Sequence, residues 1–145
     1  MSNVVLATGA FDLLHYGHLK FLEESKKAGG KGSKLIVVVA RDKTVEGRKG
    51  KKPVMPENQR RALVEALKPV DKAILGTKDM SIEAIIVKVK PDIITVGYDQ
   101  DDIQQMVEDA IKNQEFNFKL VKIKKFGPKH LNSSSKIKSK IKSSK

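Results

Sequence analysis

A chain of 145 residues with 29 Lys and Arg against 17 Asp and Glu carries a net charge of +12, and it contains no cysteine. The length suits one domain with a single core, and the missing cysteines exclude a disulfide framework or a thiolate metal site and fit a reducing, cytoplasmic setting. No apolar run is long enough to span a membrane, and on this reading the first strand starts too early for a signal peptide to precede it.

The run Val4-Val5-Leu6-Ala7 predicts a buried strand, and Phe21, Leu22, Ser25 and Ala28 give the segment after it helical spacing. Between them lies Gly9-Ala10-Phe11-Asp12-Leu13-Leu14-His15-Tyr16-Gly17-His18, which reads as a strand end, a turn and the first turn of a helix. A helix start offers unpaired N–H groups and a positive dipole end, both of which attract phosphate. Gly9 and Gly17 leave room for a ligand or a second backbone, while His15 and His18 set two imidazoles at the same entrance. The stretch reads as an anion site; the plainer alternative is a pair of histidines in an ordinary α/β turn. The helix carries Lys20/Glu24 and Glu23/Lys27 four apart on its wet face and stops at Gly29-Gly30.

A second strand, Lys34-Leu35-Ile36-Val37-Val38-Val39-Ala40, is apolar enough to be parallel and covered on both faces, joined to the first by a right-handed crossover. From Arg41 to Pro56 the pattern breaks into a charged, glycine-punctuated loop at the edge of the sheet where ligands bind. Its lysines either fold over a triphosphate or are simply solvated. Pro56 then starts a helix with Leu63, Ala66 and Leu67 inward, ended by Lys68-Pro69. Arg60 is placed to reach back to a phosphate, and Arg61 is expected outside.

A third strand, Lys72-Ala73-Ile74-Leu75, ends at Gly76, and Ile82, Ile85, Ile86 and Val89 form the buried stripe of the next helix. The fourth strand, Asp92-Ile93-Ile94-Thr95-Val96, is closed by Gly97-Tyr98-Asp99-Gln100. Ile103, Met106, Val107, Ala110 and Ile111 make the following helix amphipathic, with Asp101 and Asp102 read as ordinary capping and dipole residues at its start. Phe118, Leu120, Val121 and Ile123 form a fifth strand before Phe126-Gly127-Pro128. Asn132-Ser133-Ser134-Ser135-Lys136-Ile137 offers a second phosphate site at a helix start, or a plain N-cap. Beyond Glu115 there is no acidic residue and ten of the 29 basic ones. The excess charge therefore lies mainly beyond Glu115, and the low-complexity tail over 136–145 at its end is either solvated or a weak polyanion binder. Strands alternating with helices predict an α/β fold, a Rossmann-like open parallel five-stranded sheet in a single domain over 1–135, with its site between strands one and four. No G-x-G-x-x-G follows the first strand, which argues against a nicotinamide enzyme.

The decapeptide from Gly9 to His18 resembles the G-x-F-D-x-x-H-x-G-H signature of the nucleotidyltransferases that include glycerol-3-phosphate cytidylyltransferase, pantetheine-phosphate adenylyltransferase and the archaeal FAD synthetases. The stretches Lys52–Arg60, Ala66–Gly76 and Lys90–Ile94 look most like the archaeal FAD synthetases. The resemblance implies transfer of AMP from ATP to FMN, with FAD and pyrophosphate as products and a divalent ion such as Mg²⁺ carried on the nucleotide phosphates rather than in a metal site of the protein. It implies His15, His18 and Lys51 as catalytic, and Gly9, Ala10, Phe11, Tyr16, Gly17, Asp99, Phe126, Ser133, Ser134 and Ser135 beside the nucleotide with the two histidines. Lys49, Lys51, Lys52 and Arg60 are implied as contacts of substrate phosphate. Ala10 stands where many members carry Thr, so a hydrogen bond from that side chain to phosphate is lost, and the cysteines some members carry near the C-terminus are absent. A cytidylyltransferase using CTP and a polyol phosphate such as glycerol 3-phosphate is the alternative. A polyanion-binding module is a third reading, and it leaves His15, Gly17 and His18 unexplained. A homodimer is the expected assembly; neither a membrane nor a nucleic acid is an expected partner.

Overall fold

The computed structural model describes residues 3–77, 81–113 and 118–124. Strands β1 (Val4–Gly9), β2 (Lys34–Val39), β3 (Lys72–Leu75), β4 (Ile93–Gly97) and β5 (Lys119–Ile123) are interleaved with helices α1 (Tyr16–Ala28), α2 (Asp42–Lys49), α3 (Glu57–Glu65), α4 (Ile82–Val89) and α5 (Asp101–Asn113). All pairings are parallel, in the order β3-β2-β1-β4-β5. The expected α/β class and open parallel sheet are therefore found. The chain leaves β1 towards β2 and β3, then crosses back to β4 on the other side of β1. The strand order thus reverses between β1 and β4, where a crevice opens at the C-terminal strand ends.

Alternation along β1 divides the core in two. Val5 and Ala7 join Leu22, Leu35, Val37 and Val64 on one face, and Leu6 joins Val38, Ile82, Ile94, Ile103 and Val107 on the other. Between α1 and the sheet, the buried Thr95 hydroxyl donates to Ser25 Oγ at 2.8 Å, so that polar pair satisfies itself. On the wet face of α1 the pairs form three residues apart, Lys20 with Glu23 and Lys27 with Glu24, rather than four. Ile111 stays exposed although its spacing placed it in the α5 stripe.

Two expectations need larger corrections. Residues 42–49, read as loop, are helix α2, whose buried residue is Val45. One apolar residue gives no periodicity to detect, and the helix is held from outside. The Glu57 carboxylate of α3 accepts the Asp42 N–H at 2.8 Å, and Arg60 Nη2 donates to Asp42 Oδ1 at 2.6 Å. Gly50, at φ 77°, caps its C-terminus in the left-handed conformation glycine tolerates. In α3 the inward positions are Arg60 and Val64, one turn apart, and Leu63 is turned out to solvent. A buried arginine, invisible to a hydrophobic template, sets the rotation of that helix.

Candidate active site

At the tip of β1 the chain turns into α1 through an over-determined loop. Phe11 holds φ 52°, a conformation that costs a bulky residue about 1–3 kcal/mol. Its buried ring folds back onto Gly9, where a Cβ would sit 2.7 Å from a ring carbon. Glycine is needed at position 9 by the chain itself, whatever a ligand asks of it. The Asp12 carboxylate accepts the N–H groups of Val54 and Met55 at 2.9 and 2.8 Å, and Arg60 Nη1 donates to the Ala10 carbonyl at 2.7 Å. The strained turn is thereby anchored from two sides.

Helix α1 starts with a capping box built from histidines. His15, the N-cap, accepts the Gly17 N–H on Nδ1 at 3.1 Å, and His18 Nδ1 accepts the His15 N–H at 3.3 Å. The reciprocal arrangement is that of a Ser-x-x-Glu box, with imidazole nitrogens in place of oxygens. Since Nδ1 accepts in both rings, the proton of each neutral imidazole sits on Nε2. The rings stack with centroids 3.8 Å apart at 24°, and Phe11 meets His18 edge-on at 5.2 Å. Burial pushes the His18 pKa down to about 3, with the neighbouring His15 and Lys49 adding to the shift. Burial lowers His15 as well, against the opposing pull of Asp99. At neutral pH the two rings are uncharged N–H donors, already oriented and partly stripped of water.

They open into a cavity of about 570 Å³, well within the range of small-molecule sites. Gly9, Ala10, Phe11, His15, Gly17 and His18 line it on the α1 side, Lys49 at the end of α2, and Asp99 after β4. Seven of these eight were expected beside the nucleotide and Lys49 at a substrate phosphate, and the fold brings them to one place. Gln100 ties the crevice together: its Oε1 accepts the Gly97 N–H at 2.7 Å, and its Nε2 donates to the Thr8 carbonyl at 2.8 Å.

Other expected residues fall elsewhere. Arg60 is fully buried, and its guanidinium donates to the carbonyls of Ala10, Ala40 and Met55 and to Asp42. The reading of Arg60 as a phosphate contact is corrected: its donors go to protein acceptors, and it is a hub that joins β1, β2 and α2 to α3. Tyr16 is exposed and does not line the cavity; the Lys20 ammonium lies 5.5 Å from the centre of its ring. Lys51 and Lys52 are exposed and outside the lining. Phe126, Ser133, Ser134 and Ser135 lie outside the described residues. Sequence reasoning missed Arg48 and saw half of Asp102: its carboxylate accepts the Ile103 N–H at 2.9 Å in the first turn of α5, as a capping residue does, and it also lines the cavity with Arg48 and pairs with it between α2 and α5. The adjacent Lys49 was the available clue for Arg48, but a partner 54 residues away leaves no local signal for Asp102. Among the described residues, no three His, Cys, Asp or Glu side chains gather into a set that could hold a metal ion.

Residues 6–140 match the family described as cytidylyltransferase-like. The chain is 47% identical over 133 residues to the FAD synthase of Aciduliprofundum boonei, covering 92% of this chain and 86% of that one. It is 46% identical over 137 residues to the FAD synthase of Methanothermus fervidus, covering 94% and 93%. A crystal structure described as a lipopolysaccharide core biosynthesis protein from Thermoplasma volcanium superposes with a TM-score of 0.78 at 44% identity, over 88% of this chain and 100% of that one.

Proposed function

Because the chain belongs to the cytidylyltransferase-like family, we propose that its β1–β4 crevice performs adenylyl transfer to FMN, giving FAD and pyrophosphate from ATP. Near-full-length identity to FAD synthases supports this substrate pair over CTP and a polyol phosphate. The observation that carries the chemistry is the stacked, neutral His15–His18 pair fixed at the start of α1 within the cavity.

An oxygen of the FMN phosphate attacks the α-phosphorus of ATP. A new P–O bond forms, the bond to the oxygen bridging to the β-phosphate breaks, and pyrophosphate leaves with the electron pair. No covalent bond to the protein is needed, so the protein contributes position and charge stabilisation. The Nε2–H groups of His15 and His18 donate to phosphoryl oxygens as charge builds on them, and they need no reorientation because the capping box has set both rings. Lys49, close enough to depress the His18 pKa, supplies the positive charge for the phosphates. Lys51 enters the catalytic reading only if the segment after α2 approaches the phosphates when substrate binds. The divalent ion, Mg²⁺ or similar, arrives as part of the substrate on the nucleotide phosphates. No helix among the described residues is long and apolar enough to cross a membrane. A cytoplasmic location, which the cysteine-free sequence fits, and a homodimer belong to the same proposal.

The test is the purified chain with Mg²⁺, ATP or CTP, and FMN or glycerol 3-phosphate, following pyrophosphate and product. FAD from ATP and FMN alone is expected. CDP-glycerol without FAD would move the assignment to the cytidylyltransferase reading, and no pyrophosphate in any combination would overturn both.

A further inference from the structure

An ion pair stands inside the cavity. Arg48, from the last turn of α2, meets Asp102, from the first turn of α5, and both line the space that holds His15, His18 and Lys49. Their side chains are 39% and 53% exposed, so water screens the attraction and the pair contributes little to stability. Among the described residues Arg48 has no other side-chain partner: Nη2 donates to Asp102, and the rest of a guanidinium fork that matches phosphate oxygens is left over. Arg60 is the opposite case, with its donors shared among three carbonyls and Asp42.

The end of α2 that carries Arg48 has few ties of its own. Residues 46–50 are exposed, Val45 is the buried residue of the helix, and a Cβ at Gly47 would meet nothing within 4 Å. A glycine there weakens the helix without making room for a neighbour. The other end of α2, by contrast, is fixed through Asp42 to Glu57 and Arg60. An exposed ion pair is worth about fivefold in an equilibrium at most, whereas an arginine bound to phosphate is worth roughly 10- to 100-fold. A polyphosphate entering beside Lys49 therefore outcompetes the Asp102 carboxylate for Arg48.

Resting on the adenylyl-transfer reading above, we propose that Arg48 binds the polyphosphate end shared by ATP and pyrophosphate, and that Asp102 holds it in reserve while the crevice is empty. Displacing a carboxylate favours the most highly charged ligand, which is the polyphosphate rather than the single phosphate group of FMN. Nucleotide binding breaks the pair and turns Arg48 to the phosphates beside Lys49. When pyrophosphate leaves, the carboxylate takes the guanidinium back. Asp102 is thus a positioning residue that acts through Arg48, and it keeps the affinity for polyphosphate below what the arginine alone would give.

The experiment takes wild type, Arg48→Met, Asp102→Asn and the double variant. It measures pyrophosphate binding with Mg²⁺ by calorimetry, FAD formation with ATP and FMN varied in turn, and thermal melting without ligand as the check on folding. Asparagine keeps an oxygen for the Ile103 N–H, which Asp102 Oδ1 accepts at 2.9 Å. Arg48→Met is expected to raise the pyrophosphate Kd and the KM for ATP roughly 10- to 100-fold and to leave KM for FMN unchanged. Asp102→Asn should lower the pyrophosphate Kd roughly 2- to 5-fold, a change of opposite sign. In the double variant that gain disappears, because the carboxylate acts only through the arginine. A pair that merely staples α2 to α5 would move both variants the same way, and that result would overturn the proposal. So would a gain from Asp102→Asn that persists beside Arg48→Met, the mark of a general charge effect, or a rise in KM for FMN in place of ATP. If wild type makes no FAD, the functional reading itself fails; if it makes FAD and all four proteins bind pyrophosphate alike, only the role of the pair falls.

Discussion

Two polar assemblies lie within a few residues of the β1 tip, and they are built on opposite terms. Around Arg60 the guanidinium is fully buried and its donors are taken by three backbone carbonyls and the Asp42 carboxylate. Around His15 and His18 the protein spends the Nδ1 acceptors, leaves both Nε2–H donors without a partner among the described residues, and drives the pKa of His18 down to about 3 by burial. A polar group saturated by its own chain holds a fold together. One that is oriented, desolvated and still has a donor to offer is equipped to act on a ligand.

The sharpest way to break that contrast is substitution on the histidine side. His18→Ala removes a preorganised donor and is expected to lower kcat for FAD formation by roughly 10² to 10⁴, with folding judged by circular dichroism. Near-wild-type turnover in a folded variant would remove the histidines from the chemistry. On the other side, Arg60→Met leaves the Ala10, Ala40 and Met55 carbonyls and Asp42 without their shared donor. Stability in urea should fall by about 3–5 kcal/mol, with kcat per folded molecule much less affected. A full-stability Arg60→Met protein with a raised KM for ATP would instead restore the arginine to a phosphate.

Lys49 sharpens the comparison from the cavity wall. Removing its ammonium in Lys49→Ala should lower kcat/KM roughly tenfold to a hundredfold, the range of a charge-assisted hydrogen bond to phosphate. The gentlest perturbation is a change of pH, taken one unit at a time. His18 has a folded-state pKa of about 3, below its ordinary 6.5, so between those values the unfolded chain takes up the proton and the native one does not. Stability should therefore fall as pH drops from about 6.5 towards 3, by at most about 1.4 kcal/mol per pH unit from this group. Urea midpoints of wild type and His18→Gln, taken at stepped pH values, should show the shallower slope in the variant.

Much of this was legible in the sequence. The uninterrupted apolar run Leu35–Val39 and the run Ile93–Val96, broken only by Thr95, marked buried parallel strands, and their alternation with helices dictated the sheet. The histidine spacing across a glycine-flanked helix start singled out residues that the fold brings to one cavity. What stayed hidden was long-range polar structure. Arg60 looks like any surface arginine until Ala10, Ala40 and Met55 are folded around it, and α2 is held by that same arginine and Glu57 rather than by its own propensity. Gly9 read as room for a ligand or a second backbone and Asp12 as a bare motif position, yet Gly9 makes room for Phe11 and Asp12 clamps the Val54–Met55 backbone. A motif residue thus holds the turn in shape as well as lining the cavity, and spacing alone does not separate the two roles.

The central claim is that the histidines meet phosphate as neutral Nε2–H donors whose tautomer is set by the α1 capping box. The most direct measurement is the ring ¹⁵N chemical shifts of His15 and His18 in the ligand-free protein, followed from pH 8 downwards. The account predicts the Nε2–H tautomer for both, with His18 still neutral at pH 5. A His18 midpoint near 6.5, or a proton found on Nδ1 of either ring, would contradict it.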